Sequence, residues 1–512
     1  MIFHSILYEN NKSKIRGIPE PENNLLFQDL NLDQIIDGIL AGKEEYNLKP
    51  FYLDYQNNPE TIFFRQEVMK DLENETLLKA LNFFAREMKK MRKSLTALEK
   101  LNYKNQIERQ FLDIVSSYCK AVFILYNDLD SILLKSRGLL SFKEYLKAYI
   151  GSDNFTSISE NTTQIIEDLS SIKYNVLIKG LQVQVRKYES EINYSEEVEK
   201  TFSKFKQGEV KGHKAKIKKY PNLNGVEAKI VDGVSKLFPD VFSRMHLFYK
   251  ANFNFADPVI VAFDREIQFY ISYLNYIAPI KKAGMKFCLP QISIGRKEIS
   301  SKESFDLALA SKFVREGKKV VTNDFHLTGK ERVIVVSGPN QGGKTTFAKS
   351  FGQMHYLANL GLAVPGQEAL IFRCDKILTH FEKEEHIANL RGKLHDELYR
   401  IHQVLEKATT NSIVIINEMF TSTTLQDQIF LSKKVMDKIS KLDLLGVWVN
   451  FIDELASYNE KTVSMMSTVV PETPAIRTFK IIRNPANGLA YALSIAEKYK
   501  LSYGDILKRL KS

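Results

Sequence analysis

The sequence predicts a mixed fold, in which long helices with a small β-rich insertion precede an α/β domain built around a phosphate-binding loop. Three observations predict it. Proline is absent between Pro59 and Pro221, as long uninterrupted helices require. Residues 174–188 alternate apolar and polar side chains on both sides of a Lys-Gly pair, which is typical of a β-hairpin. The apolar run 333–337 leads directly into a glycine-rich loop and a helix-compatible segment.

Length and composition indicate a protein of more than one domain. The chain has 512 residues, more than one hydrophobic core usually absorbs. We expect an N-terminal segment at 1–60, a helical region at 61–290 with its insertion at about 172–220, and the α/β domain at 291–512. The three cysteines are widely spaced, which excludes a Cys-rich zinc site and favours a cytoplasmic location. The sequence shows neither a signal peptide nor an apolar run as long as a membrane span.

The strongest signal is the loop that follows the apolar run 333–337. Residues 338–345 read Gly-Pro-Asn-Gln-Gly-Gly-Lys-Thr and satisfy the pattern G-x-x-x-x-G-K-[ST]. Backbone N–H groups of such a loop surround a polyphosphate, Lys344 reaches its β- and γ-phosphates, and the Thr345 hydroxyl binds Mg²⁺. The sequence therefore predicts a nucleoside triphosphate site. Its predicted residues are Gly338, Pro339, Asn340, Gln341, Gly342, Gly343, Lys344, Thr345 and Thr346.

A second signature lies at the end of the apolar run 412–416. Such a run is typical of a buried parallel strand, and α/β sheets carry their chemistry at the carboxyl ends of strands. Glu418 is the predicted catalytic residue beside Lys344, because its carboxylate would polarise the water that attacks the γ-phosphate. The alternative is an ordinary strand-end carboxylate. Asn417 stands where an Asp usually holds Mg²⁺ through water, so the predicted metal site comprises Thr345 and Asn417.

The loop resembles the phosphate-binding loop of the MutS family of DNA mismatch-repair ATPases. Further segments are similar to that family's ATPase domain, and two upstream segments are similar to the long-helix lever domain of its divergent bacterial branch. The resemblance implies ATP as the nucleotide, hydrolysis to ADP and phosphate, a homodimer, and helical levers that couple ATP state to DNA binding. The similar segments are 360–365, 375–379, 408–409, 417–424 and 486–497, with 64–72 and 225–229 upstream.

The departures from the family pattern affect the expected chemistry. We find no room for the mismatch-reading domain with which full MutS proteins begin, and no nuclease tail after the ATPase domain. The serine that reaches across the family's dimer to the partner's phosphate aligns with Gly392, which leaves Lys393 as the candidate for that contact; a solvated lysine at a helix start is the alternative. The family's switch histidine is replaced by Phe451 or Ile452. Nucleotide binding carries over, whereas the rate of hydrolysis does not.

The basic insertion is the candidate nucleic-acid-binding element. Residues 172–220 contain twelve Lys and Arg against six Asp and Glu, and the whole chain has a net charge of +11. The insertion lies between two helical stretches, as the DNA-gripping clamp does in the family that the chain resembles. Such a surface binds backbone phosphates without reading the base sequence, although a solvated charge run is the alternative. The candidate residues are Lys204, Lys206, Lys211, Lys214, Lys216, Lys218 and Lys219.

Three hypotheses of function follow. The first is a homodimeric MutS-like ATPase that couples its nucleotide state to DNA binding. The second is a nucleotide-gated interaction module with slow hydrolysis that acts on a protein or ribosomal partner. The third, an ABC-transporter nucleotide-binding subunit, is disfavoured by the preceding long helices and by Gly392 in place of a signature serine.

Overall fold

The structure is a computed structural model that combines helices with several β-sheets. It describes residues 5–9, 24–55, 58–180, 182–190, 194–203, 223–382, 392–470 and 473–486, with the single residues 506 and 509. None of the helices in these ranges is long and apolar enough to cross a membrane. The α-helices are α1 (Asn24–Asp29), α2 (Leu32–Leu40), α3 (Lys49–Leu53), α4 (Pro59–Asp71), α5 (Glu75–Leu98), α6 (Lys104–Ser131), α7 (Arg137–Ile150), α8 (Asp153–Ser171), α9 (Tyr194–Ser203), α10 (Gly225–Leu237), α11 (Pro239–Ala251), α12 (Pro258–Lys282), α13 (Leu307–Arg315), α14 (Lys344–Asn359), α15 (Lys393–Lys407), α16 (Leu425–Leu442) and α17 (Asp453–Ala456).

The strands fall into four sheets. A six-stranded sheet has the order β10-β11-β12-β7-β13-β14, a four-stranded sheet the order β4-β9-β5-β6, and the pairs β1-β2 and β3-β8 form two-stranded sheets. The strands are β1 (Tyr174–Lys179), β2 (Gln182–Lys187), β3 (Phe287–Cys288), β4 (Gln291–Ser293), β5 (Ile299–Ser304), β6 (Asn323–Leu327), β7 (Val333–Ser337), β8 (Val364–Pro365), β9 (Glu368–Phe372), β10 (Ile377–Phe381), β11 (Ile413–Asn417), β12 (Leu445–Val449), β13 (Thr462–Val470) and β14 (Thr473–Arg483).

Packing divides the chain into two units. The N-terminal helices belong with the α/β part of the chain: the buried Tyr52 donates from its hydroxyl to Phe269 O at 2.5 Å, and Gln353 Nε2 donates to Leu30 O at 2.9 Å. The domain boundaries that the sequence predicts, at about residues 60 and 290, stay a prediction. The first unit comprises 1–74, 134–140 and 265–512, and the second comprises 75–133 and 141–264.

The second unit is mainly helical, with the β1–β2 hairpin, and has an aromatic core. The rings of Phe142 and Phe263 stack with centroids 3.5 Å apart, and Phe111 meets Phe255 edge-on at 5.5 Å. Such ring pairs stabilise the folded state beyond what burial of their apolar surface alone contributes. Long helices therefore form here because one face of each carries large apolar side chains into a shared interior.

The predicted hairpin of the insertion is confirmed. Strands β1 and β2 pair antiparallel, with Val176 opposite Val185, and connect through Gly180 at φ 61°. Val185 also packs on α10, since a Cβ at Gly233 would lie 3.0 Å from its side chain. Helix α9, which follows the hairpin, was not predicted. All seven candidate lysines of the insertion lie outside the residues that the structure describes.

The six-stranded sheet positions the candidate site. Strands β10, β11, β12, β7 and β13 are parallel, and β14 joins antiparallel at the edge. Every residue of β7 and β12 is buried, as expected for the centre of a parallel sheet. The carboxyl ends of the parallel strands share one edge, so the residues that follow β10, β11, β12 and β7 lie side by side along it.

Candidate nucleotide-binding site

The glycine-rich loop connects the central strand β7 to helix α14, as predicted. Helix α14 begins at Lys344, and Phe347 N donates to Gly343 O at 2.9 Å to close its first turn. The first N–H groups of a helix have no partner within the helix, and its dipole is positive at this end. The loop therefore presents backbone donors toward the space in which a phosphate would bind.

Two loop glycines are required by the packing of Ser467 on strand β13. Gly338 has φ 114°, and a Cβ there would lie 2.9 Å from Ser467 O. A Cβ at Gly342 would collide with Ser467 Oγ, which donates to Gly342 O at 2.7 Å. A side chain at either position would force the backbone apart, so the loop keeps its tight course only with glycine there.

Lys344 is buried at the base of this loop. The residue is 4% exposed, and its Nζ donates to Gly338 O and Pro339 O at 3.0 Å each. The ring centroid of Phe451, one of the two residues predicted to replace the switch histidine, lies 4.4 Å from Nζ. Burial lowers the pKa of the Lys344 ammonium to about 8, with Glu418 opposing that shift and Arg477 adding to it.

Thr345 and Asn417, the two residues of the predicted metal site, are in contact, and binding of a metal there stays a prediction. Thr345 Oγ1 donates to Asn417 Oδ1 at 2.8 Å, which joins the start of α14 to the end of β11. Both groups offer neutral oxygen atoms, and oxygen is the ligand that Mg²⁺ prefers. The pair contributes no negative charge, because Asn417 replaces the usual carboxylate.

Glu418 is the first residue after strand β11 and lies at the same edge. Its backbone N–H donates to Val449 O at 3.0 Å, and its φ of 51° is left-handed, a conformation that costs about 1–2 kcal/mol for a residue with a Cβ. Burial raises the pKa of its carboxyl; Lys344 opposes this shift and Glu382 adds to it. These interactions indicate that Glu418, Lys344 and Glu382 share one electrostatic environment.

Glu382 is a second carboxylate at this edge, and the sequence prediction missed it. It follows β10, whose last residue Phe381 is in register with Asn417. Glu382 Oε1 accepts from Lys393 Nζ at 2.5 Å and from Thr421 Oγ1 at 2.9 Å. The hydrogen bond from Lys393 lowers the pKa of Glu382 and keeps it charged. The strand before it was a weak signal, since 377–381 read Ile-Leu-Thr-His-Phe and lack the continuous apolar run that identified Glu418.

The two candidates for a contact across a dimer lie at the start of α15. Gly392 is the N-cap residue of the helix, and open space surrounds the position of a Cβ there. Lys393 is bonded to Glu382 of its own chain. A contact between Lys393 and a second subunit would therefore compete with this ion pair, and that contact stays a prediction.

Arg477 is a further functional residue that sequence reasoning missed. Its Nε donates to Asn340 O at 3.2 Å, so strand β14 holds a cation against the loop. No local motif surrounds Arg477, and only the antiparallel pairing of β14 with β13 brings it to the loop. A second cation near Lys344 strengthens the attraction of this edge for anions.

The residues at this edge fit a nucleoside triphosphate with Mg²⁺. The loop keeps its course only with glycine at two positions, a buried ammonium lies at its base, and two neutral oxygens meet where a metal would bind. The carboxylate of Glu418 stands one residue beyond Asn417. These features define a P-loop ATPase domain: the central parallel strand, the glycine loop, the helix N-terminus and the acid at a strand end.

This part of the chain is similar to a known family of domains. Residues 334–506 match the family model of MutS domain V. The match covers about a third of the chain and confirms the predicted resemblance to the MutS family for this domain. The match includes the loop, Asn417, Glu418 and the start of α15.

The similar curated proteins are longer than the matched part of this chain. Endonuclease MutS2 of Thermus thermophilus is 27% identical over 194 residues, 38% of this chain and 26% of the relative. DNA mismatch repair protein MutS of Clostridium kluyveri is 24% identical over 303 residues, 57% of this chain and 33% of the relative. Endonuclease MutS2 of Bacillus velezensis is 28% identical over 155 residues, 30% of this chain and 20% of the relative. The chain therefore aligns with a third or less of each of these relatives.

Proposed function

We propose that this protein is a MutS-like ATPase that binds and hydrolyses ATP as a dimer and couples its nucleotide state to nucleic-acid binding. The observation that carries the ATPase proposal is the meeting of Lys344, the Thr345–Asn417 pair and Glu418 at one edge of a parallel sheet. Phosphoryl transfer requires mainly positioning and charge stabilisation, and these groups supply both.

Each side chain has one role in the proposed reaction. Lys344 exchanges its two carbonyl acceptors for phosphate oxygens and stabilises their negative charge. Glu418 accepts a hydrogen bond from the attacking water and takes part of its proton. Thr345 and Asn417 would hold Mg²⁺, which when bound neutralises charge on the β- and γ-phosphates. The amide of Asn417 contributes no charge, so we expect weaker binding of Mg²⁺ than a carboxylate would give.

The dimer and the nucleic-acid surface complete the proposal. Gly392 and Lys393 are the proposed contact with the nucleotide of a second copy. The MutS relatives are named for DNA mismatch repair, and the seven lysines of the basic insertion are the proposed site for DNA backbone phosphates. The long helices of the second unit would then carry the signal as levers between the nucleotide and the DNA.

Neutralising four lysines of the basic insertion is expected to weaken DNA binding for every duplex sequence. The change is Lys214→Gln, Lys216→Gln, Lys218→Gln and Lys219→Gln in one variant. For each DNA phosphate that the variant no longer neutralises, the slope of log K against log salt should become shallower by about 0.9. Fluorescence anisotropy with a labelled duplex over one salt series measures both effects.

A charge-matched variant separates a local interaction from an effect of net charge. It replaces exposed lysines elsewhere in the chain by glutamine, namely Lys282, Lys318, Lys319 and Lys330. This control should keep the parental salt slope. If the insertion variant also keeps the parental affinity and slope, the basic run is only a solvated surface. Binding to ribosomal RNA or to a protein, without DNA binding, would favour the interaction-module hypothesis.

A further inference from the structure

The segment that carries Glu418 has an unfavourable backbone conformation. We call residues 418–424, between β11 and α16, the catalytic loop. Glu418 has φ 51° and Phe420 has φ 61°, so two residues with side chains lie in the left-handed region within three positions. Such conformations persist only where the surroundings hold them. The position of the Glu418 carboxylate therefore depends on the groups that fix this backbone.

Hydrogen bonds to other elements fix the first residues of the catalytic loop. Glu418 N donates to Val449 O at 3.0 Å at the end of β12. Phe420 N donates to Glu397 Oε2 at 2.9 Å, and Gln428 Nε2 donates to Met419 O at 2.9 Å. Of these bonds, the one to Glu397 is made to a buried carboxyl group. Burial raises the pKa of that carboxyl, and the hydrogen bond from Phe420 N and the charge of Lys393 oppose the shift.

Glu397 and Lys393 reach the catalytic loop from the same face of α15. They are four residues apart, which places them one above the other on a helix. Lys393 contacts the loop indirectly, because Glu382 accepts from both Lys393 Nζ and Thr421 Oγ1. The first two turns of α15 thus hold the loop at Phe420 and at Thr421.

Burial of Glu397 is explained by its hydrogen bond to the loop. The residue is 4% exposed, whereas the side chain of Glu406 in the same helix is 67% exposed and pairs with His402. A buried carboxylate is costly unless it accepts hydrogen bonds. A leucine would fill an apolar position at lower cost, but it could not accept from the N–H of Phe420.

We propose that Glu397 is a positioning residue for Glu418, because it holds the catalytic loop in the left-handed conformation that aims the Glu418 carboxylate. This inference rests on the proposed ATP hydrolysis by Glu418. Glu397 does not touch the reacting atoms; it acts through the backbone of Phe420. Its removal should therefore reduce kcat and leave ATP binding, which depends on the separate loop before α14, nearly unchanged.

Glu397→Ala and Glu397→Gln test the proposal as a pair. The alanine variant has no acceptor for Phe420 N, and misplacement of a catalytic group by about 1 Å can cost about a hundredfold in rate. We expect kcat for ATP to fall at least about tenfold on this scale, with the Kd for ATP from calorimetry within about twofold of the parent. Glutamine keeps an oxygen that can accept from Phe420 N. The kcat of Glu397→Gln should therefore stay within about threefold of the parental value, a much smaller loss than in Glu397→Ala.

Two further variants complete the test. Glu406→Ala, a change at an exposed site of the same helix, should hydrolyse ATP at the parental rate. Gln428→Ala removes an independent bond to the loop from a partly exposed position and should also lower kcat; it decides the outcome if Glu397→Ala does not fold. A parental kcat in either Glu397→Ala or Gln428→Ala would overturn the proposal, as would equal losses in the alanine and glutamine variants. If Glu418→Gln loses activity while Glu397→Ala and Gln428→Ala keep the parental kcat, the proposed function stands and this inference fails.

Discussion

Replacing Lys344 with alanine is expected to lower the affinity for ATP at least about tenfold. The residue is 4% exposed and its ammonium lies at the base of the glycine loop, where phosphate oxygens would replace the carbonyls of Gly338 and Pro339. A hydrogen bond to a charged group contributes about 1.5–3 kcal/mol, and about 1.4 kcal/mol corresponds to a tenfold change in affinity. Isothermal titration calorimetry with ATP and Mg²⁺ measures the loss.

A second lysine of the same helix supplies the control. Lys349 lies in α14 beyond the loop, and its Nζ donates to Asn31 Oδ1 at 3.0 Å. Lys349→Ala removes one positive charge from the same helix without removing the loop cation, so ATP affinity should stay close to the parental value. Unchanged ATP binding in Lys344→Ala would remove the assignment of this loop as the nucleotide site.

Replacing Glu418 with glutamine is expected to slow ATP hydrolysis by about a hundredfold or more while ATP still binds. The substitution keeps the volume and the left-handed backbone but removes the proton acceptor, and a positioned general base contributes about 10²–10⁴-fold. Phosphate release under single-turnover conditions measures the hydrolysis step directly. Calorimetry on the same variant should give an ATP affinity near that of the parent.

The control for Glu418 is a carboxylate remote from the loop. Glu454 is largely exposed and pairs with Lys433, so Glu454→Gln should hydrolyse ATP at the parental rate. Hydrolysis at the parental rate by Glu418→Gln would show that Glu418 is structural. In that case Glu382, the second carboxylate at this edge, would be the next residue to replace.

The nucleotide loop was predictable from the sequence because its determinants are local. Thirteen consecutive residues, 333–345, contain the strand, the glycines, Lys344 and Thr345. The spacing of these residues alone specifies the backbone course of the loop. Glu418 was predictable for a similar reason, since a continuous apolar run marked the buried strand before it. The hairpin at 174–187 was likewise predictable, because it depends on alternating apolar and polar side chains and on one turn between the strands.

The supports of the site could not be predicted, because they come from distant parts of the chain. Ser467 is 125 residues from Gly342, and Arg477 is 137 residues from Asn340. Only the strand order of the sheet brings these residues to the loop. Glu397 is 23 residues from Phe420, and its role depends on a left-handed backbone that no sequence pattern marks.

The inclusion of the N-terminal helices in the α/β unit also depends on non-local contacts. Tyr356 of α14 donates from its hydroxyl to Tyr52 O at 2.6 Å, across 304 residues of chain. The sequence predicted an N-terminal segment at 1–60 but not the surface against which its helices pack. Amphipathic periodicity specifies which face of a helix is buried, whereas the identity of the covering surface is set by the tertiary fold.

The most direct test of the account is the affinity for duplex DNA measured with and without saturating ATP. Glu418→Gln is the suitable protein, because slow hydrolysis keeps ATP bound during the measurement. Binding of two ligands to coupled sites is reciprocal, and typical coupling changes affinity about 5- to 150-fold. We predict a change in the DNA dissociation constant of at least about fivefold on addition of ATP. The same dissociation constant with and without ATP, or no DNA binding in either state, would contradict the proposed coupling.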